Sequence, residues 1–486
     1  MVNPSIRTTF SKQNFSQDLF ASFVVFLIAT PLCLGIAIAS GVDPIKGIIT
    51  GIVGGIIVGL LSGAPLQISG PSAGLTVMVL HVVDTYGVIA LVPLGIIVGL
   101  FQLGTALFKV GHFFQATPPA LLKAMLSGIG ALILLSQFYT MFDLPMSSNG
   151  LQNLSGVPQV FVNVFAGNLS SVQIHSVIVV MLVVVFLFIW NMGNQPIFDL
   201  IPGPLVSTFV SAAVVYFAGW DMKMIQLPEN FISNALHINY AEAFSLVNFN
   251  FIVYSLGFAF IASAETLLCV SAIDKMAKTK SKYNKQIFAQ GIGNLIVGLI
   301  GAIPVVGVIS RSAANLEFGA KSQLSSILLG IWMALILISP GFLNYIPVSA
   351  LSGLLIYIGI KLLDLPHVII YIRDYNKTSF IFFTTFVLTV MVDLLAGVLS
   401  GFAASILILA YDVLRHDMEF VEQGKNKFLI FKGKLLFLES QVLATYHQDK
   451  EQGGVTNLDI CISEAGYLNP KFLEDKKISY REMQVH

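Results

Sequence analysis

Ile68-Ser69-Gly70-Pro71-Ser72-Ala73-Gly74-Leu75 breaks into an otherwise apolar chain, and far downstream Ile309-Ser310-Arg311-Ser312-Ala313-Ala314-Asn315-Leu316 does so again. The two stretches look like copies of each other. Each follows a Gly-Ala turn closed by proline, Gly63-Ala64-Pro65 in one case and Gly301-Ala302-Ile303-Pro304 in the other, and each opens a short run of small residues. Glycine and proline punctuate helices. Each stretch therefore reads as a helix interrupted inside a longer apolar region.

The surrounding composition sets the class. With 56% hydrophobic residues, 11% charged, 41 glycines and a mean hydropathy of +0.83, the 486-residue chain is too apolar for a soluble globule. It reads as an all-α polytopic membrane protein whose first partner is the lipid bilayer. A formal net charge of zero gives no case for nucleic acid. Cys33, Cys269 and Cys461 have neither disulfide nor metal-site spacing, so no metal and no cofactor are expected. Residues 1–18, with Arg7 and Lys12, read as a polar cytoplasmic lead-in without a signal-peptide cleavage pattern, so the first apolar segment is expected to remain as a span.

A membrane helix needs roughly 20 mostly apolar residues. Fourteen such segments are expected near 19–40, 45–62, 72–83, 87–108, 117–138, 173–191, 201–219, 248–273, 286–302, 311–318, 322–340, 346–362, 377–393 and 395–412, the third and tenth at half length. An even count places both termini on one side. Lys275, Lys278, Lys280, Lys282 and Lys285 share one connection and Lys361, Arg373 and Lys377 another, whereas the stretch 140–172 has no Lys or Arg. The positive-inside rule makes the basic side, and so both termini, cytoplasmic. The lysine run itself is taken as a solvated loop.

Seven spans per half, about 19–219 and 248–412 within a transmembrane region of 19–413, force the second half to enter the membrane from the opposite side. The repeat is then inverted, and its interrupted third elements meet head to head near the midplane, where transporters of this construction bind their cargo. The first turn of each half-helix points unpaired N–H groups and a positive dipole end at the gap. That is a site for an anion. Ser69, Ser72, Ser310 and Ser312 offer hydroxyls, while Gly70, Ala73, Gly74 and Ala313 allow close approach to the backbone. Small residues in membrane helices usually just permit tight packing. The anion case rests on the duplication and on Arg311, whose charge is costly in an apolar core and marks a functional or paired position. Glu265, near the middle of the eighth span, raises the same question. Either it pairs structurally with Arg311, or it takes up a proton or cation and couples that gradient to anion movement.

The runs Asp18-Leu19-Phe20-Ala21-Ser22, Pro31 to Gly41, Ser62 to Thr76, Asn284 to Asn294, and Ser310-Arg311-Ser312-Ala313-Ala314-Asn315 after Pro304 together resemble the SulP family of inorganic anion transporters. The resemblance covers essentially the whole membrane region. It implies a seven-plus-seven inverted repeat with core and gate domains, an elevator movement and a homodimer. It also implies an anion held by Ser72 and Ala73 on the third helix, by Val308, Ile309, Ser310 and Arg311 at the tenth, and by Leu32 and Ile36 on the first, with Glu265 on the eighth. The Ser-Gly-Pro-Ser-Ala-Gly-Leu-Thr form is most similar to a bacterial branch associated with carbonic anhydrase, which favours bicarbonate over sulfate.

Two departures from the family pattern stand out. Sodium-coupled bicarbonate members carry a hydroxyl one turn after the carboxylate, where this chain has Cys269, and another where it has Ile309. A thiol is a poor sodium ligand. A sodium-coupled bicarbonate symporter or an anion exchanger is the alternative, and H+ coupling through Glu265 is preferred. In the tail, residues 427–438 read as two strands about Gly433 and 457–462 as another, similar to the start of a cytoplasmic STAS domain. Residues 414–486 are too few for a complete one, so a truncated STAS-like unit is expected. A nucleobase permease of the same architecture would place a carboxylate where Arg311 stands, and an anion channel shares every feature of the gap. No nucleophile triad or phosphate-binding loop suggests an enzyme.

Overall fold

The computed structural model describes residues 12–109, 119–144, 150–192, 202–225, 238–337, 340–374, 376–392, 394–414, 418–423, 426–431, 458–462 and 480–482. The chain divides into a unit ending at Gly401 and a second from Phe402 to His486. In order, α1 (Lys12–Ala39) is followed by α2 (Pro44–Val53), a π-helical turn Gly54–Val58 and α3 (Gly59–Leu61), then a 3-10 turn Ala73–Leu75 that runs into α4 (Thr76–Tyr86). Next come α5 (Leu91–Leu107), α6 (Pro119–Met141), α7 (Gly150–Phe165), α8 (Ser171–Met192), α9 (Gly203–Ala218) and α10 (Tyr240–Ser245). The chain continues through α11 (Phe249–Ala277), α12 (Tyr283–Ile300), α13 (Ile309–Glu317), α14 (Leu324–Ile336), α15 (Val348–Leu363), α16 (Leu365–Arg373), α17 (Lys377–Met391) and α18 (Leu394–Leu414).

Every apolar segment expected from the sequence falls on a helix, and among the described residues seven helices are long and apolar enough to cross a membrane by length and composition. Three helices were not expected. α7 occupies what reads as a loop, because its Gln, Asn, Ser and Pro158 mask a helical face that buries Gly150, Asn153 and Val160. α10 and α16 are a turn or two each, too short to leave a periodic signal.

Within the first unit the helices form two groups. In one, α2, α5, α11, α12, α13 and α14 pack on each other; in the other, α6, α8, α9, α15 and α17 do, and α1 touches both. The tightest contact in the first group is between α5 and α12. A Cβ on Gly95 would lie 2.5 Å from the Gly298 Cα, and one on Gly99 would lie 2.8 Å from the Gly291 carbonyl oxygen. Glycine at these places lets two backbones touch, which is how helices associate where the surroundings are as apolar as the side chains. The π-helical turn after α2 adds one residue to the turn. It brings Gly54 against the Ser69 carbonyl and Gly55 against Gly330 of α14.

The second unit carries a four-stranded sheet in the order β3 (Met418–Gln423), β4 (Asn426–Phe431), β5 (Leu458–Ile462), β6 (Tyr480–Glu482). The hairpin expected about Gly433 is displaced. β4 pairs antiparallel with the upstream β3, Met418 opposite Phe431, while β5 adds to β4 in parallel, Lys427 opposite Leu458. The expected second arm, residues 435–438, lies outside the described residues. The third expected strand is β5.

Candidate functional site

The two interrupted segments are hydrogen-bonded to each other. β1 (Ser69–Gly70) and β2 (Val306–Gly307) form an antiparallel pair, Ser69 opposite Gly307 and Gly70 opposite Val306, extended by the Val308 N–H donating to the Ile68 carbonyl at 3.0 Å. From this ribbon each strand turns into a helix, at Ala73 on one side and Ile309 on the other. Ser72 caps the first, its Oγ accepting from the Gly74 N–H at 3.0 Å. Val308 caps the second with a side chain that offers no hydrogen bond, so that first turn keeps its free N–H character.

The serines expected to face the gap are largely committed within the protein. The Ser312 hydroxyl donates to the Val308 carbonyl at 2.7 Å and accepts from the Ile68 N–H at 2.8 Å, tying the second half-helix to the first strand. Gln290, in the amide orientation that satisfies both its ends, accepts from Ser69 Oγ at 2.8 Å and from the Gly307 N–H at 3.3 Å. Asn294 Oδ1 accepts from the Val305 N–H at 2.6 Å, and its Nδ2 donates to the Val305 carbonyl at 2.9 Å and to Gln102 Oε1 at 2.8 Å. Gln286 Oε1 accepts from Ser62 Oγ at 2.7 Å and from the Gly63 and Ala64 N–H groups at 2.9 and 3.2 Å. These buried amides carry the site, and the sequence reading passed over them. Their signal was present: Gln286, Gln290 and Asn294 recur at every fourth residue, one stripe of an α-helix.

Glu265 of α11 and Arg311 of α13 do not form an ion pair, which corrects one of the two alternatives read from the sequence. Ser72 Oγ–H donates to Glu265 Oε1, while Oε2 is buried without a partner, and a Cβ on Gly74 would lie 3.0 and 3.1 Å from the two carboxylate oxygens. Arg311 is 1% exposed and lies over Gly70, whose added Cβ would be 2.7 Å from Nη1. Its Nε and Nη2 find no partner among the described residues. Cys269 approaches Ser312 Oγ at 3.4 Å rather than the carboxylate.

The remaining candidates separate by exposure. Ser310 is exposed, Ala73, Val308 and Ile309 are half-buried, and Ser72 and Gly74 are buried. Leu32 and Ile36 are buried in α1 at 7% and 2%, Leu32 within the core that also holds Cys33 and Ile68. Arg311 and Ser310, adjacent in sequence, thus point to different surroundings. A cavity of about 580 Å³ lies where α1 meets the second helix group, lined by Gly35, Ile38, Gln137, Thr140 and Ser349 among others. None of the candidate residues lines it.

The sulfate permease family model matches residues 15–386, spanning both strands of the ribbon and both half-helices. The chain belongs to the sulfate permease family. Among its relatives, YvdB of Bacillus subtilis (strain 168), which carries a provisional sulfate-transporter name, is 27% identical over 400 residues, 81% of this chain and 73% of that protein. Bicarbonate transporter BicA of Picosynechococcus sp. is 22% identical over 478 residues, 90% of this chain and 81% of its own. The solved transmembrane domain of a cyanobacterial BicA has a TM-score of 0.69 at 24% identity, covering 81% of this chain and all of that domain. SLC26A9 has a TM-score of 0.70 at 14% identity, with 98% and 85% covered. At those identities the likeness establishes the fold. As a sulfate permease family member the protein is a multi-pass membrane transporter, not an enzyme.

Proposed function

We propose that the protein is a secondary active transporter of a small inorganic anion, bicarbonate or sulfate, driven by protons through Glu265. The observation that carries the anion is Arg311: a fully buried guanidinium with no carboxylate against it and two nitrogens, Nε and Nη2, unpartnered among the described residues. Burying an unpaired charge is expensive, so the arrangement favours a state in which an anion occupies its field. The names of the relatives, a bicarbonate transporter and sulfate transporters, agree with that cargo.

In this mechanism the anion sits at the first turns of the two half-helices, against Ser72, Ala73 and Gly74 on one side and Val308, Ile309 and Ser310 on the other. Leu32 and Ile36 of α1 form an apolar wall. Arg311, buried over Gly70, supplies a positive potential rather than a direct contact. Glu265 shares Ser72 with the site, so a carboxylate there opposes an incoming anion and a carboxylic acid does not. Proton and anion then load and unload together. The first helix group carries the site past the second in an elevator movement, in a homodimer with fourteen spans and both termini on the cytoplasmic side of the cytoplasmic membrane. The C-terminal sheet fits a STAS-like unit.

The test is uptake of labelled bicarbonate, sulfate and chloride by proteoliposomes under imposed proton or sodium gradients. Accumulation against the anion's own gradient, driven by protons and indifferent to sodium, is expected. Sodium-driven accumulation would replace the proton by the alternative coupling ion, and purely downhill flux would make the protein a channel.

A further inference from the structure

Where α11 passes into α12, Lys275 in the last turn of α11, Lys278, Lys280 and Lys282 in the connection and Lys285 in the first turn of α12 are all exposed. None makes an ion pair among the described residues. A run of lysines is ordinarily a loosely solvated loop, but here the backbone is held in a defined shape. Asp274 Oδ1 accepts from Thr279 Oγ1 and Ser281 Oγ, both at 2.8 Å, and its Oδ2 accepts from the Ser281 N–H at 2.9 Å. Lys278 takes the left-handed conformation that ends α11, φ 53°. The single acidic group of the connection is thus consumed in shaping it, and the lysines project without a counter-charge. Met276 and Phe288, exposed by 48% and 44%, flank them with apolar surface. Lysines beside exposed apolar side chains at a helix connection fit the boundary between hydrocarbon and headgroups.

The same connection grips the site. The Lys282 N–H donates to the Gly63 carbonyl at 2.9 Å, and Gln286, one residue past Lys285, holds Ser62, Gly63 and Ala64 through Oε1. That fit is tight, for a Cβ on Gly63 would lie 2.3 Å from the Lys282 carbonyl oxygen. Gly63 to Pro65 is the turn that leads directly into β1 and Ser72. A force on the lysine connection therefore reaches the anion site through five residues of backbone, Leu66 to Gly70.

We infer that the Lys275–Lys285 connection is a docking surface for anionic phospholipid headgroups, and that a bound headgroup steadies the Gly63–Pro65 turn and with it the first half-helix. The effect on uptake rests on the transporter function proposed above; the binding of lipid does not. Each lysine near an anionic surface changes partitioning by roughly fivefold, so three removed together are decisive.

The experiment uses the full chain and the variant K278Q/K280Q/K282Q. Glutamine there keeps the Lys282 backbone donor and touches no packed side chain, and a matched thermal unfolding midpoint would establish that the variant is folded. Both proteins are reconstituted into phosphatidylcholine vesicles with and without phosphatidylglycerol, and lipid retained by the detergent-purified protein is counted by native mass spectrometry. The wild type is expected to retain phosphatidylglycerol and to take up anion several-fold faster with it, while the variant does neither yet keeps its basal rate in phosphatidylcholine. Equal retention of phosphatidylglycerol by wild type and variant overturns the docking surface, whether or not any anion is transported. Retention that differs with uptake that does not respond overturns the link to the half-helix. If soluble glycerophosphate reproduces the stimulation, the surface reads free phosphate and the lipid assignment fails.

Discussion

At the scale of residues, the candidate site holds two buried charges that do not pair with each other. Arg311 has its guanidinium over Gly70, and Glu265 has its carboxylate against Ser72 and Gly74. Replacing Arg311 with Gln removes the potential but not the helix, so anion affinity should fall roughly tenfold, about 1.4 kcal/mol, as read by equilibrium binding of labelled anion. Unchanged affinity would remove Arg311 from the site. Glu265→Gln keeps a partner for Ser72 and imitates the protonated acid. Wild-type anion affinity should decline as pH rises and Glu265 ionises, whereas the variant should bind equally across that range and lose its response to a proton gradient. Ala73→Leu should close the approach to the first half-helix and stop uptake; a normal rate would place the pathway elsewhere. Arg311 and Glu265 were legible in the sequence because a charge inside an apolar span is conspicuous. That they do not pair was not, since spacing along the chain does not say which groups a side chain meets in the fold.

At the scale of elements, α12 decides whether the ribbon exists. Its stripe Gln286, Gln290 and Asn294 satisfies the turn before β1, the ribbon itself and the Val305 backbone ahead of β2. Asn294→Ala leaves the Val305 N–H and Gln102 Oε1 without their partner, while the Val305 carbonyl keeps only the Gln290 amide at 3.2 Å. Each buried orphan costs about 1–3 kcal/mol, so the unfolding midpoint in detergent should drop by several degrees, a much larger effect than Asn294→Asp would have if the acid stayed protonated. An unchanged midpoint for Asn294→Ala would mean that water replaces the amide. The existence of α12 follows from its apolar length, and its glycine face toward α5 from Gly291 and Gly298. The helix α7 was hidden by its polar residues and Pro158, because a helix that buries only one narrow face carries little hydrophobic signal.

At the scale of the whole molecule, the two helix groups meet along α1. A Cβ on Gly35 of α1 would lie 3.4 Å from the Leu351 Cβ of α15, close to the separation a disulfide requires. If one group slides past the other during transport, the variant G35C/L351C should be inactive when oxidised and recover with reductant, while either single replacement transports under both conditions. Full activity of the oxidised form would show that these groups do not move apart at this contact. The fully buried Cys33 and Cys269 are controlled by the single variants.

Apolar length, the paired Gly-Ala-Pro turns and the two charges within apolar segments were sufficient, by themselves, for the membrane class, the placement of the long helices and the choice of the two segments that meet in the ribbon. Those properties are local, because hydropathy, turn chemistry and the cost of a buried charge act within a few residues of where they are written. Only the tertiary structure decided that Ser69 pairs with Gly307, that Gln290 and Asn294 hold the ribbon, and that Glu265 and Arg311 stand unpaired. Each of these is a contact between residues far apart in the chain, and a hydrogen bond is fixed by distance and direction in space, which no one-dimensional pattern contains.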